Sequence, residues 1–319
     1  MTRIILSTGN IITGGPSIIR KPGTTRSNLE LTNSLRSNFQ AAQQDYAHSP
    51  ASNHGSNSTN AHENGHPVNG NSRPTIDAWT ATEDSVLYIP RIDWAGAGLQ
   101  EDRAQYEITL KLFFLPLAPA AQRAEYISEA MRLVTKELRI DSVDLLIASF
   151  PGISFEGDCE WEADKMNATM GHDEEEIATW AALEALYAQG KVGRLGIAEF
   201  GTEKLQRFVG QVKVRPAVDQ INIKDCCSVP PPLVKLATSE GIELLTHGDC
   251  TDILPSGTLR ELLGHGPRGA GVLSDDEKAQ NGLQGNLIPQ WVAKYTAFVS
   301  YRGVIENKGY FAGAELVQA

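Results

Sequence analysis

The chain has few cysteines, few basic residues and no long apolar run, and each shortage excludes a class of protein. Its 319 residues include four cysteines, whose spacing fits neither a disulfide framework nor a zinc site. Lys and Arg number 28 against 39 Asp and Glu, a formal net charge of −11 that argues against a nucleic-acid surface. No apolar run approaches the roughly 20 residues of a membrane helix, and we find no signal-peptide core. We expect a cytoplasmic protein without a metal site and without membrane or nucleic-acid partners.

A low-complexity segment interrupts the first quarter of the chain. Residues 46–74 are mostly Asn, Ser, Gly, His and Pro, with too little apolar surface to offset the entropy of ordering. We predict a disordered insertion within a single domain that spans residues 1–319. The insertion contains His62-Glu-Asn-Gly-His66, which formally matches a zinc-protease pattern. That pattern requires a helix, which Gly65 and Pro67 oppose, so we predict no metal site there.

Outside the insertion, short apolar runs alternate with segments of helical period. Strand candidates begin near Ile4, Ser85, Ile108, Val143, Val192, Val218, Ile242 and Thr296. Helical patterns occupy Pro119–Leu138, Glu174–Gln189, Thr202–Gly210 and Pro230–Glu240. Buried strands that alternate with helices are typical of a parallel sheet covered by helices. The pattern predicts an α/β fold of the (β/α)8 TIM-barrel type, in regular or irregular form, with functional residues at the strand ends.

Several of these segments resemble the aldo-keto reductase family. Ile108-Thr-Leu-Lys111 resembles the strand with the active-site lysine, and Gly190–Phe200 resembles the helix-to-strand signature. Val218-Asp-Gln220 matches the strand whose amide contacts nicotinamide. The resemblance implies an aldo-keto reductase-like barrel.

The same resemblance gives a vestigial NADP site of Lys111, Gln220 and Arg302. Arg302 follows the last predicted strand, where barrels often hold a phosphate. Each residue has a plainer interpretation as well. Lys111 would pair with a carboxylate of the barrel, Gln220 would fill the barrel interior, and Arg302 would form a surface or partner salt bridge.

The departures from that family concern its proton donor. Ser149 occupies the position of the catalytic histidine, and no counterpart of the Asp and Tyr pair is evident between Trp79 and Tyr106. Ketone reduction needs a donor held at the hydride-acceptor site, which Lys111 alone cannot supply. We therefore predict no catalytic residue. The alternative is an active NADP-dependent aldo-keto reductase with a displaced tyrosine, Tyr88 or Tyr106.

A narrower resemblance covers most of the chain. Gln220–Leu233, with Cys226-Cys227 and three prolines, followed by Ile242–His247, resembles the regulatory (modifier) subunits of glutamate–cysteine ligase. Thr8-Gly-Asn10 and Arg302–Tyr310 belong to the same resemblance. It implies a non-catalytic subunit that binds the ligase catalytic subunit as a heterodimer, improves its affinity for glutamate and relieves feedback inhibition by glutathione. No cofactor is required, and residual NADP(H) binding stays open.

Four residues are candidates for partner or redox contacts. Cys226, Cys227 and Pro230 follow a strand end, and His247 ends the next strand. The cysteines are either a redox-sensitive contact with the partner or small side chains that pack against the proline turn. His247 is either a general base or a histidine satisfied by its neighbours.

Two acidic runs frame the loop after the Val143 strand. They are Glu156–Asp164 and Asp173–Glu176. Such charge is commonly solvated surface. An acidic rim would also dock a basic patch on a partner and speed association.

Overall fold

The ten strands and eight α-helices of the described chain follow the predicted alternation only in its middle part. The computed structural model describes residues 2–13, 27–47, 73–222, 228–274 and 282–317. Within them, the strands are β1 (Thr2–Ser7), β2 (Ala81–Glu83), β3 (Val86–Ile89), β4 (Tyr106–Phe114), β5 (Val143–Ser149), β6 (Val192–Ala198), β7 (Val218–Asn222), β8 (Glu243–His247), β9 (Asn286–Val299) and β10 (Val304–Val317). The helices are α1 (Ser27–Ala47), α2 (Ile76–Trp79), α3 (Arg123–Leu138), α4 (Glu160–Asn167), α5 (Asp173–Ala188), α6 (Thr202–Val209), α7 (Pro231–Glu240) and α8 (Thr258–Leu263).

All strands join one sheet in the order β2-β3-β1-β10-β9-β4-β5-β6-β7-β8. The five strands β4 to β8 pair in parallel. β9 is antiparallel to β4, β10 is antiparallel to β9, and β1 is antiparallel to β10. β1 and β3 therefore run opposite to β4–β8. The carboxyl ends of β4–β8 lie together on one side of the sheet, at the ends of its strands, and the carboxyl ends of β1 and β3 lie on the opposite side.

The helices form where apolar residues recur three and four positions apart. Two of them, α3 and α5, are followed by residues that adopt a left-handed backbone conformation. In α3, Ile127, Met131, Val134 and Leu138 are buried along one face. Arg139 closes that helix in the left-handed conformation, at φ 51°. The first turn of α5 is entirely acidic, which suits the positive end of the helix dipole. Gly190, at φ 69°, takes the predicted stop position beyond it.

The two faces of the sheet are covered differently. On one face, alternate residues of β4 such as Ile108 and Leu110 pack with Trp180 and Phe208 of α5 and α6 in the larger core. On the other face, α1 and α8 cover β1, β10 and β9 through a second core that includes Leu35. Over β5–β8 this second face carries only a small cluster of Leu145, Ile147, Ala198 and Val218. A depression therefore remains beside α1 and α8, above the parallel strands.

The C-terminal region differs from the prediction. The final strand was expected at Thr296–Tyr301, but the chain forms the 14-residue β9 and returns as the 14-residue β10. Gly309 and Gly313 lower the β-propensity of β10, which hides it in the sequence. In the sheet, each glycine lies against an aromatic ring of β9, from Tyr295 and Trp291. The missing side chains make room for those rings, so the strand depends on cross-strand packing.

Candidate functional site

One carboxylate between two lysines forms the centre of the candidate site. Lys111 of β4 and Lys294 of β9 are direct cross-strand neighbours. Asp249, two residues after β8, lies between them, with its Oδ2 3.1 Å from the Lys111 Nζ and its Oδ1 2.7 Å from the Lys294 Nζ. The Lys111 and Asp249 side chains are 5% and 9% exposed. Lys111 thus pairs with a buried carboxylate, as its plainer interpretation expects, and its role in a cofactor site stays a prediction.

Burial and ion pairing shift the pKa values of Asp249 and Lys111 in opposite directions. Burial alone would raise the pKa of Asp249, but the charges of Lys111 and Lys294 hold it below its usual range. Burial lowers the pKa of Lys111, and the charges of Asp249 and Glu199 offset only part of that effect. Asp249 is therefore ionised, and it is the group that keeps two ammonium groups at the cavity wall.

His247 connects this centre to the end of β6. Its Nε2 lies 2.6 Å from the Oε1 of Glu199, and its Nδ1 accepts a hydrogen bond from the Asp249 backbone N–H at 3.1 Å. Because Nδ1 accepts, Nε2 is the nitrogen that carries the proton in the neutral ring. Glu199 adopts the left-handed conformation, at φ 67°. The Nδ2 of Asn167 donates to its carbonyl oxygen at 2.7 Å. His247 thus accepts one backbone hydrogen bond at Nδ1 and lies against a carboxylate at Nε2, and its two predicted roles stay predictions.

These groups line a cavity of about 270 Å³. The lining residues are Thr109, Lys111, Ile147, Gln220, His247, Gly248, Asp249, Lys294 and Thr296. The Oε1 atom of Gln220 is buried and accepts no hydrogen bond from the described residues. No tyrosine is among the lining residues. The cavity therefore offers charge and one free amide oxygen, and no phenol among the described residues that line it is placed to protonate a substrate.

The two tyrosines proposed as displaced donors lie elsewhere. The hydroxyl of Tyr88 accepts a hydrogen bond from Arg132 at 2.9 Å, in the core under α3. Tyr106 is the first residue of β4, and its hydroxyl contacts the carboxylate of Glu306 in β10. The same hydroxyl accepts a hydrogen bond from the backbone N–H of Glu101 at 3.1 Å. Neither side chain lines the cavity, so the geometry does not assemble the predicted alternative.

The structure brings together Lys111, Gln220 and His247 and places Arg302 away from them. Arg302 lies in the turn between β9 and β10, at the edge where β4 begins, and its Nη2 is 2.6 Å from Glu306. The predicted location of Arg302 beside the cavity is therefore wrong: β9 runs antiparallel to β4, so its carboxyl end lies away from the carboxyl ends of β4–β8. Pro230 is buried and directly precedes α7. Cys226, Cys227 and the core of the insertion lie outside the described residues.

Three groups of the site were missed by sequence reasoning. Lys294 lies in the middle of β9 without any motif around it, and only its register opposite Lys111 reveals it. Glu199 follows a strand in the helix-to-strand signature, a placement that could have marked it. Asp249 lies two residues after His247 without a motif of its own, and its pairing with two distant lysines depends on the tertiary fold.

The described residues fit the nicotinamide end of a dinucleotide better than its phosphates. Gln220 offers a free amide oxygen to a carboxamide-sized group. Lys111 and Lys294 both pair with Asp249, and His247 contacts Glu199. Both lysines at the cavity thus already share a carboxylate, and phosphates favour unpaired cations or free backbone N–H groups.

Two searches of the described residues give no further site. No set of three or more His, Cys, Asp or Glu side chains is placed to hold a metal ion. Among the same residues, no helix combines the length and apolar character needed to cross a membrane.

Comparison with known proteins gives one family and one group of relatives. The profile of the aldo/keto reductase family matches residues 90–309. A Schizosaccharomyces pombe protein assigned as a glutamate–cysteine ligase regulatory subunit is 31% identical over 66% of this chain and 72% of its own length. The Homo sapiens glutamate–cysteine ligase regulatory subunit is 24% identical over 67% of this chain and 68% of its own length. The predicted resemblance is confirmed.

Solved structures give a weaker likeness. A Bombyx mori aldo-keto reductase in complex with NADP matches with a TM-score of 0.30 and 21% identity. The match covers 39% of this chain and 36% of that one. The family profile supports the predicted barrel-type fold class, in the irregular form that the prediction allowed.

Proposed function

The chain belongs to the aldo/keto reductase family and, within it, to the glutamate–cysteine ligase regulatory subunits, and from this premise we propose that it is a non-catalytic regulatory subunit. It binds the catalytic subunit of glutamate–cysteine ligase as a heterodimer, improves the affinity of that subunit for glutamate and relieves feedback inhibition by glutathione. The observation that carries the proposal is the cavity around Asp249. It keeps the lysine of a reductase-type strand but pairs it with a carboxylate, with no phenol among the described lining residues.

The decisive experiment reconstitutes the complex. The full chain and the catalytic subunit from the same organism are co-purified, and ligase activity is titrated with glutamate at several glutathione concentrations. We expect a lower KM for glutamate and a weaker inhibition by glutathione when the chain is present. An unrelated aldo-keto reductase serves as the control for nonspecific protein effects. Identical kinetics with and without the chain, or failure to co-purify, would contradict the proposal.

The reductase alternative is tested by chemistry alone. Lys111 and Gln220 at one cavity are the observations that favour it. NADPH oxidation is followed with a panel of aldehydes, using the wild-type chain and Lys111→Met. We expect no turnover above background in either protein. Turnover on the usual enzymatic scale that Lys111→Met abolishes would establish the alternative instead.

Residual NADP(H) binding without turnover is a second candidate, favoured by the free Oε1 of Gln220. Fluorescence titration with NADPH and with reduced nicotinamide mononucleotide separates the two ends of the cofactor. Since the cavity cations are already paired, we expect the two molecules to bind with similar, weak affinity and Gln220→Ala to weaken both. A much tighter binding of NADPH would show that a phosphate site exists.

A further inference from the structure

The acidic runs after β5 separate into two groups with different roles. The first group holds the fold together: Asp164 accepts the backbone N–H of Thr202 at 2.6 Å, and Asp173 and Glu176 pair with the buried Lys204. Glu175 pairs in the same way with Arg123. Each of these carboxylates is already engaged by a group of the same chain.

The second group faces solvent. Glu156, Asp158 and Glu162 are exposed, and Glu160 is half-buried. Glu156 accepts a hydrogen bond from Thr251 at 3.0 Å. Among the described residues, none of the four carboxylates forms a salt bridge. They leave a local negative charge around the first turn of α4.

An exposed aromatic side chain, that of Trp161, lies among these carboxylates in the first turn of α4. All five tryptophans of the chain are in described segments, and Trp161 alone is exposed, at 55%. Met166, 47% exposed, lies on the solvent-facing half of α4, about 140° around the helix from Trp161, with Lys165 and Glu162 between them. Tryptophan and methionine are enriched at protein interfaces, and a central Trp is a frequent hot spot.

Buried hydrogen bonds anchor α4, the helix that carries Trp161, to the rest of the fold. Asn167, fully buried, donates to the carbonyl oxygens of Ser154 and Glu199 at 2.7 Å each and accepts the N–H of Gly201 at 2.6 Å. A Cβ at Gly157 would lie 2.8 Å from the backbone nitrogen of Ala163, so the preceding loop packs tightly on the helix. A rigid platform loses little conformational entropy on binding.

We propose that the solvent-facing side of α4, centred on Trp161 and lined by Glu162 and Met166, with Asp158 just before the helix, is the docking surface for the catalytic subunit. The partner surface that fits it carries an apolar pocket for the indole with Lys or Arg around the pocket. The inference rests on the proposed function and adds the surface to it. Asn167 also anchors Glu199, so the docking helix and the cavity share one buried contact.

The test uses the full chain and the purified catalytic subunit, with association followed by biolayer interferometry at low and high salt. We expect Trp161→Ala to weaken the affinity by about tenfold or more, mainly through faster dissociation. Asp158→Asn/Glu162→Gln should slow association several-fold at low salt and flatten its salt dependence. Thermal melts confirm that each variant is folded.

Matched controls come from the opposite part of the sheet. Tyr301→Ala removes an aromatic ring that is 65% exposed. Asp77→Asn/Glu83→Gln removes two exposed carboxylates from α2 and β2. Both controls should bind like the wild-type chain. If the wild-type chain itself does not bind, the proposed function fails.

Other results overturn the surface while the function stands. Wild-type binding that neither α4 variant alters would place the interface elsewhere. Binding that only the controls weaken would do the same. Self-association of the chain that Trp161→Ala abolishes would make a second copy the occupant of this surface.

Discussion

Two buried aspartates have pKa values shifted in opposite directions, and replacing each by asparagine tests that difference. Asp249 and Asp219 are 8% and 0% exposed. Asp249 lies between two lysines, whereas the Oδ1 of Asp219 accepts only the backbone N–H of Phe200, at 3.4 Å, and its Oδ2 has no partner among the described residues. Burial raises the pKa of Asp219 well above its usual value, and the nearby charge of Glu199 adds to the effect. Burial therefore disfavours the charged form of Asp219, whereas the two lysines favour the charged form of Asp249.

The expected free energies of unfolding follow from these opposite shifts. Asp249→Asn leaves the ammonium groups of Lys111 and Lys294 without a counterion, and breaking a buried pair by removing one partner costs about 3–5 kcal/mol. The Lys294 side chain is 21% exposed and retains some hydration, so we expect the lower end, about 3 kcal/mol. Asp219→Asn replaces a carboxyl whose charged form is disfavoured by burial with a neutral amide of nearly equal shape. We expect a change below about 1 kcal/mol at pH 7.

The pH dependence has opposite signs at the two sites. A raised folded-state pKa means that Asp219 contributes stability below its unfolded pKa of about 3.9 and loses that contribution as pH rises toward the folded value. A lowered pKa means that Asp249 contributes stability above about pH 3.9 and loses it as pH falls. Asp219→Asn should therefore gain stability relative to the wild type as pH rises from 4, while the deficit of Asp249→Asn should shrink in acid.

Urea denaturation of the full chain measures both effects. Unfolding midpoints and slopes of the wild type and the two variants are compared at several pH values between acid and neutral. The reasoning is refuted if Asp219→Asn costs as much as Asp249→Asn at pH 7. It is also refuted if the two variants show the same dependence on pH.

Two further perturbations test packing and acid stability. Gly313→Ala places a methyl group against the indole of Trp291, so it should lower the free energy of unfolding in urea by about 1–3 kcal/mol. A Cβ at Gly266 would meet nothing within 4 Å, so the control Gly266→Ala should be nearly neutral. Equal costs for the two variants would contradict the packing account. Asp173 has a pKa lowered to about 2, chiefly by its hydrogen bond from Arg207, so its contribution is present above about pH 4 and is lost as pH falls toward 2. Melting temperatures of Asp173→Asn should accordingly fall less than those of the wild type between pH 4 and 2, and parallel curves would show that the pairing is not the cause.

Local patterns in the sequence were sufficient for the central part of the fold. The run Val143–Ser149 is apolar enough to be buried on both faces, and the four acidic residues and Gly190 mark the two ends of α5. Such signals lie within one element, so they do not depend on distant parts of the chain. The lack of a proton-donor motif was visible in the same way, and the cavity has no tyrosine among its described lining residues.

Contacts between distant segments decided the rest. β10 is weak in β-propensity, and it forms because Trp291 and Tyr295 of β9 cover Gly313 and Gly309. That hairpin reverses the direction of the last strand and carries Arg302 to the edge opposite the cavity. No local pattern records such a reversal.

The charges of the site show the same limit. The sequence by itself determined which residue types the chain has at its strand ends: a lysine at Lys111, an amide at Gln220 and a histidine at His247. Only the tertiary structure decided that Asp249 lies between Lys111 and Lys294, and which acidic residues near α4 remain unpaired. The physical reason is that burial and Coulombic pairing depend on distances between side chains far apart in sequence, which the fold alone sets.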